Sequence, residues 1–193
     1  RRGKYLMINL SKDTLLIHLR MSGDLRVERT MNASGTPNPV LKHDRLVLEF
    51  DKNIRLAFSN PRKFGRVWLA ANPEEILGTL GPEPLGGQLD EKKFHSMLNK
   101  HKRQIKPLIM DQHFLAGMGN IYTDEALFLA KLHPLSRSHN LSANDSTALL
   151  NAIRTVLQEG IRKNGASIDW VYRGGDFQNQ FNVYGRTGEP CSV

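Results

Sequence analysis

One cysteine, Cys191, is all that the 193 residues contain, so no internal disulfide can form and a reducing compartment is expected. A lone cysteine also falls short of structural zinc, which takes four ligands. No apolar run approaches the ~18–20 residues of a membrane-spanning helix. No signal peptide is expected, since Arg1-Arg2-Gly3-Lys4 leads straight into a strand-like run. An initiator Met is missing as well, and the sequence stops shortly after its cysteine, so an internal piece of a longer chain is expected. Acidic residues are outnumbered, 19 Asp+Glu against 27 Lys+Arg, which leaves a net charge of +8 and a pI near 9.8. Such an excess favours a polyanionic partner and says nothing about fold. Residues 1–60 hold most of it, with 11 basic and 6 acidic side chains.

The chain is long enough for one large domain or two small ones. Residues 4–70 read as β structure: 4–10, 14–21, 24–28, 45–50, 54–59 and 65–70 are short runs rich in Leu, Ile and Val, separated by turn formers such as Ser22-Gly23 and Asp51-Lys52-Asn53. Connections this short require antiparallel pairing, hence a sandwich or barrel. At Asn72-Pro73-Glu74-Glu75 the signals turn helical: a capping residue, a proline suited to the first turn, and two carboxylates for the helix dipole. Gly81-Pro82-Glu83-Pro84-Leu85-Gly86-Gly87 has the composition of a linker, which places a first domain at 1–78 and the linker at 79–89. Helices are predicted at about 90–100, 105–112, 120–132 and 143–164, within a helical domain at 90–170. The last has Leu149, Leu150, Ile153, Val156, Leu157 and Ile161 at helical spacing, with Gly165 just past its end. Residues 171–182 show neither period and read as a flexible loop; 171–193 form the remaining region.

Four constellations could carry chemistry. Gly117-Met118-Gly119-Asn120 bares backbone N–H groups at a helix start, where an anion can approach without a Cβ in the way. Asn120 can cap that helix and offer its amide to the anion; an ordinary helix–helix turn explains the same residues. Asn60-Pro61-Arg62-Lys63-Phe64-Gly65-Arg66 sets three cations and a ring between two strands, suited to phosphates and a base stack. A solvated hairpin with Phe64 folded onto the core is the alternative. His18-Leu19-Arg20-Met21-Ser22-Gly23 puts a flexible methionine at a loop tip, although methionine is usually core filling. His18 reads as a satisfied structural histidine, and His43 as a surface residue or a phosphate contact. In the fourth, Tyr184-Gly185-Arg186-Thr187-Gly188-Glu189-Pro190-Cys191, Cys191 is the only metal-ligand candidate, in an incomplete site.

Together these pieces resemble the bacterial formamidopyrimidine-DNA glycosylases. The matching motifs run in family order: RRGKYL (1–6), HLRMSG (18–23), KHD (42–44), NPRKFG (60–65), LGPEPL (80–85), IKPLIMDQ (105–112), AGMGNIYTDEAL (116–127), LHP (132–134) and VYGRTGEPC (183–191). The resemblance implies an α+β protein, an antiparallel β-sandwich followed by a helix–two-turn–helix domain, acting on double-stranded DNA with oxidised bases or abasic sites. It implies a base-excision repair enzyme that combines glycosylase and abasic-site lyase activities on 8-oxoguanine and formamidopyrimidines. Met21, Arg62 and Phe64 would fill the void left by the flipped nucleotide, which would otherwise collapse. Asn120 would grip the phosphate backbone. Arg62, His43, Lys102, Lys106 and Tyr184 would also face DNA, and Lys4 would stand near the reacting sugar as an auxiliary catalytic group. Residues 165–182 occupy the place of the loop that closes over the extruded base.

Three departures qualify the match. The family's N-terminal Pro-Glu, nucleophile and acid/base, has no counterpart here; an α-amine suits Schiff-base chemistry because it is partly unprotonated near neutral pH. The zinc finger is cut after its first cysteine, so zinc is expected in the parent protein and no cofactor in this chain. Asn60 stands where the family usually has Asp. The 193 residues alone are therefore expected to be inactive and to bind DNA weakly, as a monomer, with no membrane partner, in the bacterial cytoplasm at the nucleoid. Two rival classes remain: an endonuclease VIII-like glycosylase for oxidised pyrimidines, and a non-enzymatic ribosomal-type binder.

Overall fold

A computed structural model describes residues 1–166 and 174–190. The chain divides into two compact units, Gly3–Pro73 with Arg1, and Glu74–Val193 with Arg2.

In the first unit, six strands form two three-stranded antiparallel sheets: β1 Tyr5–Asn9, β2 Thr14–His18 and β6 Arg66–Ala70 in the order β1-β2-β6, and β3 Asp24–Arg29, β4 Asp44–Phe50 and β5 Ile54–Ser59 in the order β3-β5-β4. Each predicted run is a strand. The run over 14–21 stops at His18, because Arg20 adopts left-handed backbone that no strand can continue. Leu15 and Ile17 from β2 meet Phe58 from β5, with Leu6, Ile8, Val67, Leu25, Leu46 and Leu48 half-buried around them, so the two sheets share one apolar layer. This is the sandwich arrangement, in which alternate residues of each inner face interdigitate.

The second unit holds α1 Glu74–Leu77, α2 Glu91–Asn99, α3 Ile105–Met110, α4 Asn120–Leu129 and α5 Ala143–Arg162, with 3-10 turns at Ser138–Asn140 and Phe177–Gln180. Local signals explain the starts of α1, α2 and α5. Pro73 and two glutamates precede or open α1, and the Asp90 carboxylate accepts from Lys93 N at the start of α2. On α5, Ser142 and Asp145 form a reciprocal capping box. Leu149, Leu150, Ile153 and Val156 of α5 sink into a core shared with Phe94, Leu98, Ile105, Leu108, Ile109, Leu115 and Met118, whereas Ile161, part of the same sequence stripe, is exposed. Gly160, in the last turn of α5, allows a close approach: a Cβ there would stand 2.5 Å from the Tyr122 ring.

Residues 79–89, read as a linker from composition, make specific contacts inside this unit. Gly81 N donates to Gln112 O, Ala116 N to Pro82 O, and Leu89 is buried. The Arg154 guanidinium donates to the carbonyls of Pro84 and Leu89. Glycine and proline here shape a packed turn, because their backbone groups find fixed partners.

The expectation of a loose loop over 171–182 is corrected for its described part. Phe177–Gln180 is a 3-10 turn, Phe177 is buried, and its ring stacks on Tyr122 at 5.1 Å. Aromatic anchoring, which has no sequence period, holds this segment. Residues 171–173 lie outside the described residues.

Candidate nucleic-acid interface

In the β unit, three chain segments meet at one buried amide. Asn60, 1% exposed, receives the Ser22 hydroxyl on Oδ1 at 3.4 Å and donates its N–H to His43 O at 2.8 Å. Its carbonyl accepts from Lys63 N at 3.2 Å and Arg45 Nε at 3.3 Å. The tip carrying Met21, the segment carrying His43 and the basic turn carrying Arg62 and Phe64 are thereby tied together. Met21 is 71% exposed and Phe64 58%, so neither side chain fills the core, and Arg62 and His43 are exposed as well. Asn60 was singled out from the sequence only as a departure; its linking role depends on partners far along the chain.

The Met21 tip is a tight turn. Gly23 N donates to Leu19 O at 3.0 Å, and Arg20, at φ +57°, donates its N–H to His18 Nδ1 at 3.0 Å. His18 is buried, its ring edge-on to Tyr5 at 4.8 Å. Burial first, then the charges of Arg20 and Lys4, hold the imidazole below its ordinary 6.5, so it stays neutral and can accept. Lys4 keeps some exposed surface, yet desolvation by its surroundings and the Arg20 charge lower its pKa from 10.5. Below the tips, Asp44 grips Arg26 at 2.9 and 3.0 Å and accepts from Leu41 N. Burial opposes its ionisation, but the Leu41 N–H and Arg26 outweigh it and keep the carboxyl under 3.8.

In the helical unit, the turn between α3 and α4 is fixed by Gln112. Its Nε2 donates to Met110 O at 2.7 Å and Met118 O at 2.9 Å, while Oε1 accepts from Gly117 N at 3.0 Å. Gly117 sits at φ +99°, which excludes other residue types at little cost, and buried Met118 plugs the turn into the core. The expected Asn120 cap is corrected. Gly119 is the N-cap, with no side-chain hydrogen bond, and exposed Asn120 is the first helical residue. A glycine has no side chain to satisfy the first-turn N–H groups, so they are left for another acceptor.

Lys106 pairs with Asp124 on α4, Nζ to Oδ1 at 2.7 Å, and Lys102 is exposed. Tyr184 is half-buried, edge-on to Phe181 at 5.4 Å. The sequence reading missed Gln112 and Glu125. Glu125 is buried and accepts from the backbone of residues 182–184, a contact with no local signal. Among the described residues, no group of three or more His, Cys, Asp or Glu is placed to hold a metal, and no helix is long and apolar enough to cross a membrane. Cys191 and residues 167–173 of the candidate closing loop lie outside the described residues.

Comparison with known proteins assigns this arrangement. The formamidopyrimidine-DNA glycosylase N-terminal domain pattern matches residues 1–67 and that family's H2TH domain pattern residues 80–171. Formamidopyrimidine-DNA glycosylases of Herpetosiphon aurantiacus and Heliobacterium modesticaldum are 41% and 44% identical to the chain, covering 99% of it and 70% and 71% of their own lengths. The chain belongs to the formamidopyrimidine-DNA glycosylase family.

Solved glycosylase structures agree. MutM bound to DNA containing carbocyclic 8-oxo-G superposes with a TM-score of 0.87 at 39% identity, covering all of this chain and 71% of that one. Lactococcus lactis Fpg with FAPY-dG DNA gives 0.87 at 38%, with the same coverage. Thermus thermophilus MutM gives 0.88 at 36%, covering all of this chain and 72% of that one. The fold expected from the glycosylase resemblance, a β-sandwich and an H2TH domain, is the one observed.

Proposed function

We propose that this chain is the DNA-engaging part of a base-excision repair enzyme that removes oxidised purines, 8-oxoguanine and formamidopyrimidines, from double-stranded DNA by base flipping. The observation that carries the reading is the exposed pair Met21 and Phe64, flanked by Arg62, on two turns joined through Asn60. Large apolar groups held outward on a polar surface mark a contact site. A flipped nucleotide leaves a void of about one base, and each base–aromatic stacking contact contributes roughly 1–3 kcal/mol. The wedge supplies that contact, and Arg62 adds a planar cation for a base or phosphate.

The uncapped start of α4 suits a phosphate, with Asn120 offering a further N–H donor. Exposed Lys102 adds positive potential near the same helices, and Lys106, paired with Asp124, offers further N–H donors. His43 and Tyr184 are assigned to DNA contacts on the family match. Lys4, its pKa lowered, serves as an auxiliary group near the sugar. The covalent step, attack of an amine on C1′ with later β- and δ-elimination, goes to the family's Pro-Glu pair, which none of these 193 residues matches. Zinc belongs to the parent protein on this reading. One cysteine supplies a single ligand of four, and no step here runs through a metal.

The test is a duplex with an abasic site opposite 2-aminopurine. The chain should bind it more tightly than undamaged duplex and change the probe's fluorescence, with the change lost in Met21→Ala and Phe64→Ala. Equal affinity for both duplexes overturns the reading. Borohydride should trap no covalent complex with residues 1–193; capture would move the nucleophile into this chain.

A further inference from the structure

Glu125 lies on α4 five residues after Asn120, about 7.5 Å along the axis. It is 1% exposed, and four neutral amide N–H groups hold its carboxylate. Oε2 accepts from Asn182 N at 2.8 Å and Asn182 Nδ2 at 3.0 Å; Oε1 accepts from Val183 N and Tyr184 N, both at 3.0 Å. Three successive backbone N–H groups facing one anion form a nest of the kind that binds external phosphates. Here the protein's own carboxylate fills it, through charge-assisted bonds stronger than neutral ones.

Tyr122, three residues earlier on the same helix face, fixes the preceding stretch. Phe177 stacks on it with planes 13° apart, and Phe181 and Tyr184 continue the contact edge-to-face at 5.6 and 5.4 Å. α4 therefore grips the segment twice, once through rings and once through Glu125. The ring contacts can slide; the three N–H bonds to a carboxylate fix register.

We propose that Glu125 is a positioning residue for DNA binding: by locking residues 182–184 onto α4, it sets the Tyr184 side chain relative to the phosphate-binding start of the same helix. It touches no DNA itself. This inference rests on the reading above that both the Asn120 end of α4 and Tyr184 face DNA.

The anchor is read first without DNA, on the 193-residue chain. Glu125→Gln keeps the shape but replaces one carboxylate oxygen by an NH2 group, which donates where the nest needs an acceptor. Faster amide exchange at 182–184, with α5 protection unchanged, is expected; unchanged exchange at those amides overturns the anchor. The positioning role is read in a cycle with Tyr184→Ala on abasic-site duplex. Glu125→Gln should weaken binding about tenfold alone, roughly 1.4 kcal/mol. In the Tyr184→Ala background it should cost about twofold or less. Equal costs in both backgrounds mean that Glu125 merely supports the fold, and overturn the role. If Glu125→Gln also loses α5 protection, Asn182→Ala, which removes one donor of four, enters the same cycle with the same deciding outcomes. A wild-type chain that binds abasic-site and undamaged duplex alike refutes the repair reading instead, while the exchange result still decides the anchor.

Discussion

The two units hold their candidate DNA-contact groups by opposite means. The helical unit has a large apolar core drawn from α2, α3, α4 and α5, and its exposed helix start projects from that core. The β unit's buried cluster comes to Leu15, Ile17 and Phe58, yet this unit carries the proposed wedge. Its tips are located by buried polar groups instead: His18, Ser22 and Asn60. A small sandwich cannot spare apolar residues to pin long turns, so hydrogen bonds set their geometry, whereas packed helices hold a turn by burying one of its residues, as at Met118. On the proposed reading, stability and recognition should be nearly separate properties in the helical unit and nearly one property at the β tips.

The largest expected effect would break that comparison if it failed. Leu150→Ala, at a fully buried site, should cost about 3 kcal/mol in denaturant unfolding, with lost exchange protection across α2, α4 and α5. The affinity of the still-folded fraction for abasic-site duplex should change little. A matching loss of affinity in that fraction would show that core packing and recognition are coupled in the helical unit after all.

Asn60→Ala should be smaller in stability and larger in function. It removes the side-chain partner of Ser22 while keeping the backbone bond to His43, so about 1–2 kcal/mol is expected. The 2-aminopurine signal should fall along with it, because Met21 and Phe64 lose their common support. Full signal in a destabilised variant would show that the tips hold their places without Asn60. Asn60→Asp keeps the acceptor for Ser22 and should recover most of the signal.

Legibility in the sequence followed the range of the forces. Strands β1 to β6 and the helices were readable because alternation, helical spacing and caps such as Ser142 lie within a few residues of each other. The motifs around Met21, Phe64 and Asn120 were readable because the motif string itself carries the resemblance. Asn120 was misplaced by one position, since a glycine N-cap gives no side-chain signal. The turn at Phe177–Gln180 was hidden because Tyr122, its stacking partner, is 55 residues away. Glu125 inside Thr-Asp-Glu-Ala-Leu looks like any solvated helix acid, and only partners 57 to 59 residues later reveal it as buried and bonded. Gln112 and Asn60 were opaque for a related reason: a side-chain amide bonded to backbone, as in Gln112, or to a hydroxyl 38 residues away, as in Asn60, leaves no periodic trace.

The smallest expected effect sharpens the comparison, because the two tight turns rest on different chemistry. The turn at 117–119 is held by the Gln112 amide, which does not titrate. The Met21 tip is held by His18 Nδ1, which accepts from Arg20 N only while the ring is neutral. Burial and the nearby Arg20 and Lys4 charges keep the folded imidazole below 6.5, whereas the unfolded chain titrates near that ordinary value. As pH falls through 6.5, the unfolded state binds a proton that the folded state refuses, so stability rises with pH in that window. The contribution is complete above 6.5 and is lost progressively towards the lower, folded value. Amide shifts of residues 20–22 should therefore move as the pH is taken below 6.5, while those of residues 117–119 stay fixed. His18→Gln, which keeps an acceptor that cannot be protonated, should flatten the response at the tip. Equal movement of both turns, or an unaltered response in His18→Gln, would show that acid acts on the fold as a whole rather than through this one imidazole.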